Sequence, residues 1–186
     1  MKNQVLTFAL MVMMLPFASA QITKGSVVGG INGNLNLEGS SSGSFRSAAV
    51  NTDLYGLYFI GNNFGLGLES GMYYSRVRMK GFTGSYNDRA LILEIGPAAR
   101  KYFGSGKLTP YLHLGTGVGI GSVRYNNNGV SEKPASNVDF YIRPAVGITY
   151  WLNNRVGIDA TIGKNILENH HHRLHGKLGV SVRLGK

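Results

Sequence analysis

The sequence contains no cysteine, so disulfide frameworks, thiolate metal sites and a lipid anchor on cysteine are all excluded. Proline is scarce, at 5 of 186 residues, which argues against a proline-rich disordered chain. Acidic residues number only 9 against 19 lysines and arginines, for a formal net charge of +10. Beyond residue 20, no apolar run approaches the roughly 20 residues that a transmembrane helix needs. The length suits a single domain.

The first twenty residues have the features of a targeting segment. Lys2 gives a positive start, an apolar stretch covers 5–17, and residues 18–20 (Ala-Ser-Ala) match the small-residue pattern of a cleavage site. The apolar stretch is too short to span a bilayer as a helix. We therefore predict a signal peptide over 1–20 and a mature domain over 21–186.

The mature chain alternates apolar residues with glycine and polar residues. Leu112 and Leu114, for example, flank His113 and are followed by Gly115. Strands place successive side chains on opposite faces, so this period predicts β-strands. A helix is disfavoured because each interior glycine would weaken it by about 1 kcal/mol. Eight segments share the pattern: 27–37, 50–60, 64–75, 91–103, 108–121, 138–150, 156–163 and 174–184.

The connections between these segments alternate in length. The short ones are rich in glycine and asparagine, which tolerate positive φ: 61–63, 104–107 and 153–154. The longer, polar ones are 38–44, 80–87, 125–137 and 165–173. This segregation is typical of outer-membrane barrels, whose short turns face the periplasm. We predict an all-β protein, an eight-stranded antiparallel up-and-down transmembrane β-barrel. Pro97 and Pro144 lie within strands and predict a bulge or irregular pairing, because proline removes a ladder donor.

Aromatic residues on the apolar parity lie towards the strand ends, as expected for interfacial girdles. They are Tyr58, Phe64, Phe103 and Tyr150 beside short turns, and Tyr74 and Phe140 nearer the long loops. Together with the signal peptide, the small size and the glycine-rich strands, this pattern resembles the small outer-membrane β-barrel proteins. That class includes PorT-like barrels, opacity-type adhesins and OmpX-like proteins, and the resemblance covers about 24–184. It implies a Gram-negative outer-membrane location and insertion by the outer-membrane assembly machinery. For function, we predict a structural or adhesive role, or an accessory role in envelope assembly or secretion, and we expect no cofactor.

The inward parity carries charges of both signs. They are Glu69, Glu94, Arg100, Asp139, Arg143, Asp159, Lys177 and Arg183. A barrel of about eight strands has a lumen that side chains can fill. Because an unpaired buried charge is costly, we expect opposite charges to pair there. The interpretation is a plug of salt bridges, and the alternative is a proton or ion path.

A second candidate site, which we call the basic rim, consists of basic residues on the outward parity near the long loops. Its members are Arg76, Arg78, Arg89, Arg124 and Lys164. Arginine suits bidentate contact with phosphate. We expect the basic rim to contact lipopolysaccharide and other outer-membrane lipids, with ordinary solvated strand ends as the alternative.

The histidines do not predict a metal site. Residues 170–172, with His175 and Glu168, could suggest zinc, but a structural zinc site needs fixed tetrahedral geometry. We interpret these histidines as exposed residues of a surface loop.

No catalytic motif is recognisable. The sequence lacks a nucleophile elbow, a phosphate loop and a metalloprotease helix, and Ser181, His175 and His113 share no known motif. Nucleic acid is not expected as a partner, because there is no basic recognition helix. We therefore predict a protein that is not an enzyme. Two alternatives stay open: a lipid-A-modifying barrel enzyme and a soluble periplasmic lipocalin-like barrel that binds an apolar ligand. The 125–137 loop is where an envelope or host-surface partner would first be sought.

Overall fold

The computed structural model describes residues 22–39, 44–81, 84–127, 130–131, 135–167 and 173–184. Within these ranges the regular structure is β-strand. The strands are β1 (Val27–Gly39), β2 (Phe45–Gly61), β3 (Phe64–Gly81), β4 (Gly84–Tyr102), β5 (Leu108–Arg124), β6 (Asn126–Asn127), β7 (Val130–Ser131), β8 (Ala135–Trp151), β9 (Val156–Leu167) and β10 (Arg173–Leu184). No helix in the described part of the chain is long and apolar enough to cross a membrane.

Eight long strands, β1–β5 and β8–β10, close into a ring. Each pairs antiparallel with the long strands before and after it in sequence. The ring closes where β1 pairs with β10, from Val27 opposite Leu184 to Gly33 opposite Leu178. The short strands β6 and β7 pair with each other, and β6 also pairs with β4. The predicted eight-stranded antiparallel up-and-down barrel is confirmed.

The pleat of each strand sorts side chains into an apolar outside and a polar inside. On β3, Leu68 is 63% exposed whereas the next residue, Glu69, is 3% exposed. On β8, Ile142 is 52% exposed and Arg143 is 3% exposed. A water-soluble barrel has polar residues outside and apolar residues inside, and here the arrangement is reversed. Apolar residues on the outer wall are expected where that wall contacts bilayer hydrocarbon. From Phe64 to Tyr74, about ten residue steps at ~3.3 Å and a tilt near 40° give an apolar band about 25 Å tall.

An apolar cluster fills the interior at the short-turn end of the barrel. Phe59 and Leu57 of β2 point inward and are fully buried, beside Ile22, which is 1% exposed. Two hydrogen bonds to Asn63 hold Ile22 in place: its N–H donates to Asn63 Oδ1 at 3.0 Å, and its carbonyl accepts from Asn63 N at 2.9 Å. The alternation pattern assigns the inward parity to polar residues and does not predict this apolar cluster, which we call the apolar floor.

The three short turns lie where the sequence predicts them. Asn63 has a φ of 61° and Gly104 a φ of 92°, both in the left-handed region that these residue types tolerate. In the third turn, Asn153 Oδ1 accepts from the backbone N–H groups of Arg155 and Val156, each at 2.8 Å. These side-chain and glycine signals are local, which is why the sequence located the turns correctly.

At the opposite end the strands run further than the alternation predicts. β3 continues to Gly81 and β4 begins at Gly84, so most of the predicted 80–87 loop is paired strand. β8 begins at Ala135 and β9 ends at Leu167, inside the other predicted loops. The loop prediction was wrong here because polar residues beyond the apolar band still form ladder hydrogen bonds. Parts of the predicted loops lie outside the described residues: 40–43, 128–129, 132–134 and 168–172.

Pro97 and Pro144 interrupt pairing without a bulge. The β4–β5 ladder is broken between Ile95 and Ala98, and the β8–β9 ladder between Ile142 and Ala145. The register is the same on both sides of each interruption. Each proline stays paired with its other neighbouring strand. The expected irregular pairing is therefore present, and its cause is the missing proline N–H.

Candidate functional site in the lumen and on the rim

Arg143 of β8 lies at the centre of a group of carboxylates inside the barrel. Its Nη1 donates to Asp53 Oδ1 at 3.0 Å and to Glu69 Oε1 at 3.4 Å, and its Nη2 donates to Glu94. Lys177 of β10 donates to the same Asp53. All five side chains are largely shielded from solvent. Each charge therefore has an opposite partner, which offsets the cost of removing it from water.

Arg100 of β4 lies closer to the short-turn end. Its guanidinium carbon is 4.0 Å from the ring centroid of Tyr55 and 4.2 Å from that of Tyr111, so two aromatic rings enclose the cation. Its Nη1 is 3.4 Å from Asp159 Oδ2. Asp159 is completely buried and also accepts from Tyr55 at 2.7 Å and from Thr149 at 2.6 Å. This carboxylate is saturated with donors.

His113 joins the two groups. Its Nδ1 accepts from Arg100 Nε at 3.3 Å, and its Nε2 is 2.7 Å from Glu69 Oε2. Because Nδ1 accepts, the hydrogen-bond network assigns the proton to Nε2, which donates to Glu69. We call the connected set the lumen network. Its members are Asp53, Glu69, Glu94, Arg100, His113, Arg143, Asp159 and Lys177.

Inward glycines leave the space that the lumen network occupies. A Cβ on Gly115 would lie 1.9 Å from Glu69 Oε1, and one on Gly147 would lie 2.4 Å from Tyr111 Cζ. The glycines of β5 could have left room for water in the lumen. At Gly115 that room is instead filled by the Glu69 carboxylate.

Six of the eight predicted lumen residues belong to the lumen network. The other two differ in position: Asp139 is half-buried, and Arg183 lies with its guanidinium carbon 5.4 Å from the Trp151 ring. The predicted lumen charges did not include Asp53 and His113. Asp53 lies on the less regular second predicted strand, where strict continuation of the alternation would have placed it inside. The alternation already placed His113 on the inward parity, but it was weighed as a catalytic residue and not as a member of a charge network.

The arginines of the basic rim lie on one side of the barrel. Arg76 of β3 is directly opposite Arg89 of β4, which is opposite Arg124 of β5. Arg78 is opposite Arg46 of β2, a residue that the sequence analysis did not include. We call these five residues the arginine patch. Like charges directly opposite one another on a sheet are destabilising, so this arrangement favours a bound anion.

Lys164 does not belong to the arginine patch. It is exposed on β9, opposite Leu174 of β10, and strand β8 lies between β9 and the nearest strand of the patch. Within the patch, Arg76 Nε also donates to Asn87 Oδ1 at 3.1 Å. The predicted basic rim therefore consists of a cluster of arginines and a separate lysine.

Over the described ranges, no group of three or more His, Asp or Glu side chains could hold a metal ion. Glu168 and residues 170–172, which prompted the question of zinc, lie outside those ranges. The interpretation of His175 as an exposed loop residue was wrong: β10 begins at Arg173, and its alternation turns His175 to the buried, inward face.

Ser181 and His113, two buried residues considered for catalysis, each contact other side chains. His113 contacts Arg100 and Glu69. Ser181 is fully buried, and its Oγ donates to Asp159 at 2.6 Å. Neither contact has the nucleophile–base geometry of a hydrolase.

No family model and no curated protein matches this sequence. Among solved structures, the chain is similar to the N-terminal β-barrel domain of OprF from Pseudomonas aeruginosa, at 14% identity over 88% of this chain and 100% of that one, with a TM-score of 0.49. It is also similar to the attachment invasion locus protein Ail of Yersinia pestis, at 17% identity, 87% and 100% coverage and a TM-score of 0.46. A third similar structure is the outer membrane protein OprG of Pseudomonas aeruginosa, at 13% identity over 88% of this chain and 98% of that one, with a TM-score of 0.48.

The chain has the fold of an outer-membrane β-barrel. That conclusion rests on its closed ring of eight strands and on the apolar outer wall around a charged interior. Membership of the PorT-like, opacity-type or OmpX-like groups stays a prediction.

Proposed function

We propose that this chain is an integral, non-enzymatic protein of the Gram-negative outer membrane, exported by a cleaved signal peptide over 1–20. In this proposal the lumen is plugged, and the arginine patch binds lipopolysaccharide phosphates. The protein then has a structural or adhesive role at the cell surface, or an accessory role in envelope assembly or secretion. The signal peptide lies outside the described residues, and its removal is part of the proposal.

The filled lumen supports a plugged barrel. The lumen network occupies the middle of the interior, and the apolar floor around Phe59 and Ile22 lies below it. A lipocalin-like binding barrel would need an apolar cavity, whereas this interior holds paired charges. A proton or ion path would need charges that exchange partners, whereas Arg143 is held by three carboxylates at once.

The main support for lipopolysaccharide binding is the row formed by Arg76, Arg89 and Arg124 on adjacent strands. On β3 the row lies two residues beyond Tyr74, and on β4 it lies two residues beyond Leu91; both are exposed apolar residues. The guanidiniums therefore lie just outside the apolar band, at the level of lipid head groups. Phosphate is the anion that matches a planar bidentate guanidinium, and lipopolysaccharide is the phosphate-bearing lipid expected beside the loop end of an outer-membrane barrel.

The test replaces Arg76, Arg89 and Arg124 together with glutamine and measures lipopolysaccharide binding to the purified barrel in phosphatidylcholine nanodiscs. We expect binding to weaken by at least about tenfold, because several charge-assisted contacts are lost. Lys164→Gln is the matched control, since it removes an exposed cation elsewhere on the wall, and it should leave binding unchanged. Equal binding by the triple variant and the native barrel would refute the lipid assignment.

The chemical structure of lipid A distinguishes the enzymatic alternative from this proposal. A lipid-A-modifying enzyme must change acylation, so mass spectrometry of lipid A from cells with and without the gene would reveal the altered chains. We expect identical lipid A, because His113 is engaged by Arg100 and Glu69 within the lumen network. A change restored by complementation would establish an enzyme.

A further inference from the structure

The seam between β1 and β10 is paired along only part of its length. The ladder ends at Gly33 opposite Leu178. Above that pair, β1 continues to Gly39 but is paired with β2, and β10 continues to Arg173 but is paired with β9. We call this part of the β1–β10 boundary, above Gly33 and Leu178, the upper seam. Along it, each strand of the described chain forms a ladder on one side only.

A side chain crosses the upper seam where the next ladder pair would form. Asn34 follows Gly33, and its Nδ2 donates to the carbonyl of Gly176 at 2.8 Å. Gly176 faces outward, and a Cβ built on it would meet nothing within 4 Å. The wall is therefore open on the outside at Gly176 and bridged there by an amide side chain in place of backbone pairing.

The upper seam lies at the level of the apolar outer wall. Leu178 and Leu174, the outward residues on either side of Gly176, are 70% and 77% exposed. Hydrocarbon must therefore cover this part of β10. Backbone N–H and C=O groups that lack a ladder partner are costly at that depth, because lipid chains offer no hydrogen bonds. Whatever occupies the upper seam has to supply both donors and acceptors.

A groove of about 750 Å³ leads along the outer wall to this place. At one end it is lined by Gly33, Asn34 and Gly176 of the upper seam, and at the other by Val146, Ile148 and Ile162 of β8 and β9. The volume is within the range of sites for one small ligand. We call it the seam groove. It has an apolar body and a polar end, which is the shape of a single-chain amphiphile.

The charges nearby favour an uncharged head group. Lys177, the cation behind the upper seam, already donates to Asp53 and, at 3.0 Å, to Asn51 Oδ1. A carboxylate placed there would compete with the Asp53 that Lys177 and Arg143 share. A hydroxyl or ester group adds no charge and can both donate and accept.

We propose that the seam groove binds a single-chain lipid with an uncharged, hydroxylated head group, of the monoacylglycerol class. The acyl chain lies against β8 and β9. The head group hydrogen-bonds the Asn34 amide and those backbone groups that, within the described strands, have no β1–β10 ladder partner. The inference rests on the barrel's placement in a membrane, as proposed above, and is independent of the arginine patch.

The test uses a monoacylglycerol with a diazirine in its acyl chain, added to the full barrel in phosphatidylcholine nanodiscs. After photolysis, mass spectrometry of peptides locates the label. We expect the label to concentrate on β8, β9 and β10. Gly176→Phe should lower labelling by at least about tenfold, because the new ring fills the seam groove. A fatty acid with the same chain should label less than the monoacylglycerol does.

Gly56→Phe is the matched control, since Gly56 is also an outward glycine whose Cβ would meet nothing within 4 Å, and it lies on β2. It should leave labelling unchanged. Heat-modifiable migration on a denaturing gel verifies that both variants fold. Labelling spread evenly around the barrel, or unchanged by Gly176→Phe, would overturn the site. Stronger labelling by the fatty acid would overturn the uncharged head group. Neither result depends on lipopolysaccharide, so failure here is distinguishable from failure of the arginine patch.

Discussion

At the scale of single residues, the interior is governed by the cost of holding charge away from water. Arg143 reaches three carboxylates, and Asp53 accepts from both Arg143 and Lys177. Arg143 and Asp53 are therefore each positioned by more than one partner. Removing one partner from such a set leaves the others buried and uncompensated, which costs more than the pair contributed.

Replacing Arg143 with methionine should therefore be strongly destabilising. We expect the free energy of unfolding to fall by about 3–5 kcal/mol, because Glu69, Glu94 and Asp53 lose their common cation. Equilibrium urea unfolding of the barrel in phospholipid vesicles measures the difference.

Lys164→Met is the control for that measurement, because it also removes one cation but from an exposed position. It should change the free energy of unfolding by less than about 0.5 kcal/mol. Similar losses in the two variants would mean that the lumen network does not stabilise the fold.

The sequence could identify which residues point inward, but not which of them meet. Alternation is a local property, so Glu69, Arg100 and Asp159 could be assigned to the lumen from their neighbours alone. Arg143 of β8 meets Asp53 of β2 and Glu69 of β3 across the lumen, and those contacts depend on register and barrel shape. No local sequence pattern determines how strands far apart in the chain are aligned, so the partners of these inward residues could not be predicted.

At the scale of elements, the turns were predictable and the strand ends were not. A turn needs particular residues at particular positions, such as Asn63 and Gly104 at positive φ. A strand end near the loops needs nothing comparable. Because ladder hydrogen bonds form beyond the apolar band, β3 extends to Gly81 and β8 begins at Ala135. The residues in these extensions are polar enough to have been predicted as loops.

The turn at Gly104 offers a test at this scale. Gly104→Ala should lower the free energy of unfolding by about 1–2 kcal/mol, because a φ of 92° is unfavourable for a residue with a Cβ. Gly61→Ala beside the first turn is the control: its φ is not positive and its Cβ would meet nothing within 4 Å. Vesicle unfolding of the two variants gives the comparison. If both substitutions lower the free energy of unfolding equally, the positive φ at Gly104 is not the reason that glycine is needed there.

At the scale of the whole molecule, the barrel wall is uneven. β2–β5 and β8 have 17 to 19 residues each, whereas β9 and β10 have 12. The long wall carries the arginine patch beyond the apolar band, and the short wall contains the upper seam within it. The two proposed lipid contacts thus belong to opposite features of one asymmetric barrel.

The central claim is that the outward apolar residues face bilayer hydrocarbon, and single spin labels test it most directly. The chain has no native cysteine, so Leu93→Cys and Ile142→Cys each give one labelled site, on β4 and β8. In phospholipid vesicles, we predict that both labels collide readily with oxygen, which dissolves in hydrocarbon, and rarely with a water-soluble nickel chelate. Immobile labels shielded from both reagents would place these residues inside protein and contradict the membrane-spanning barrel.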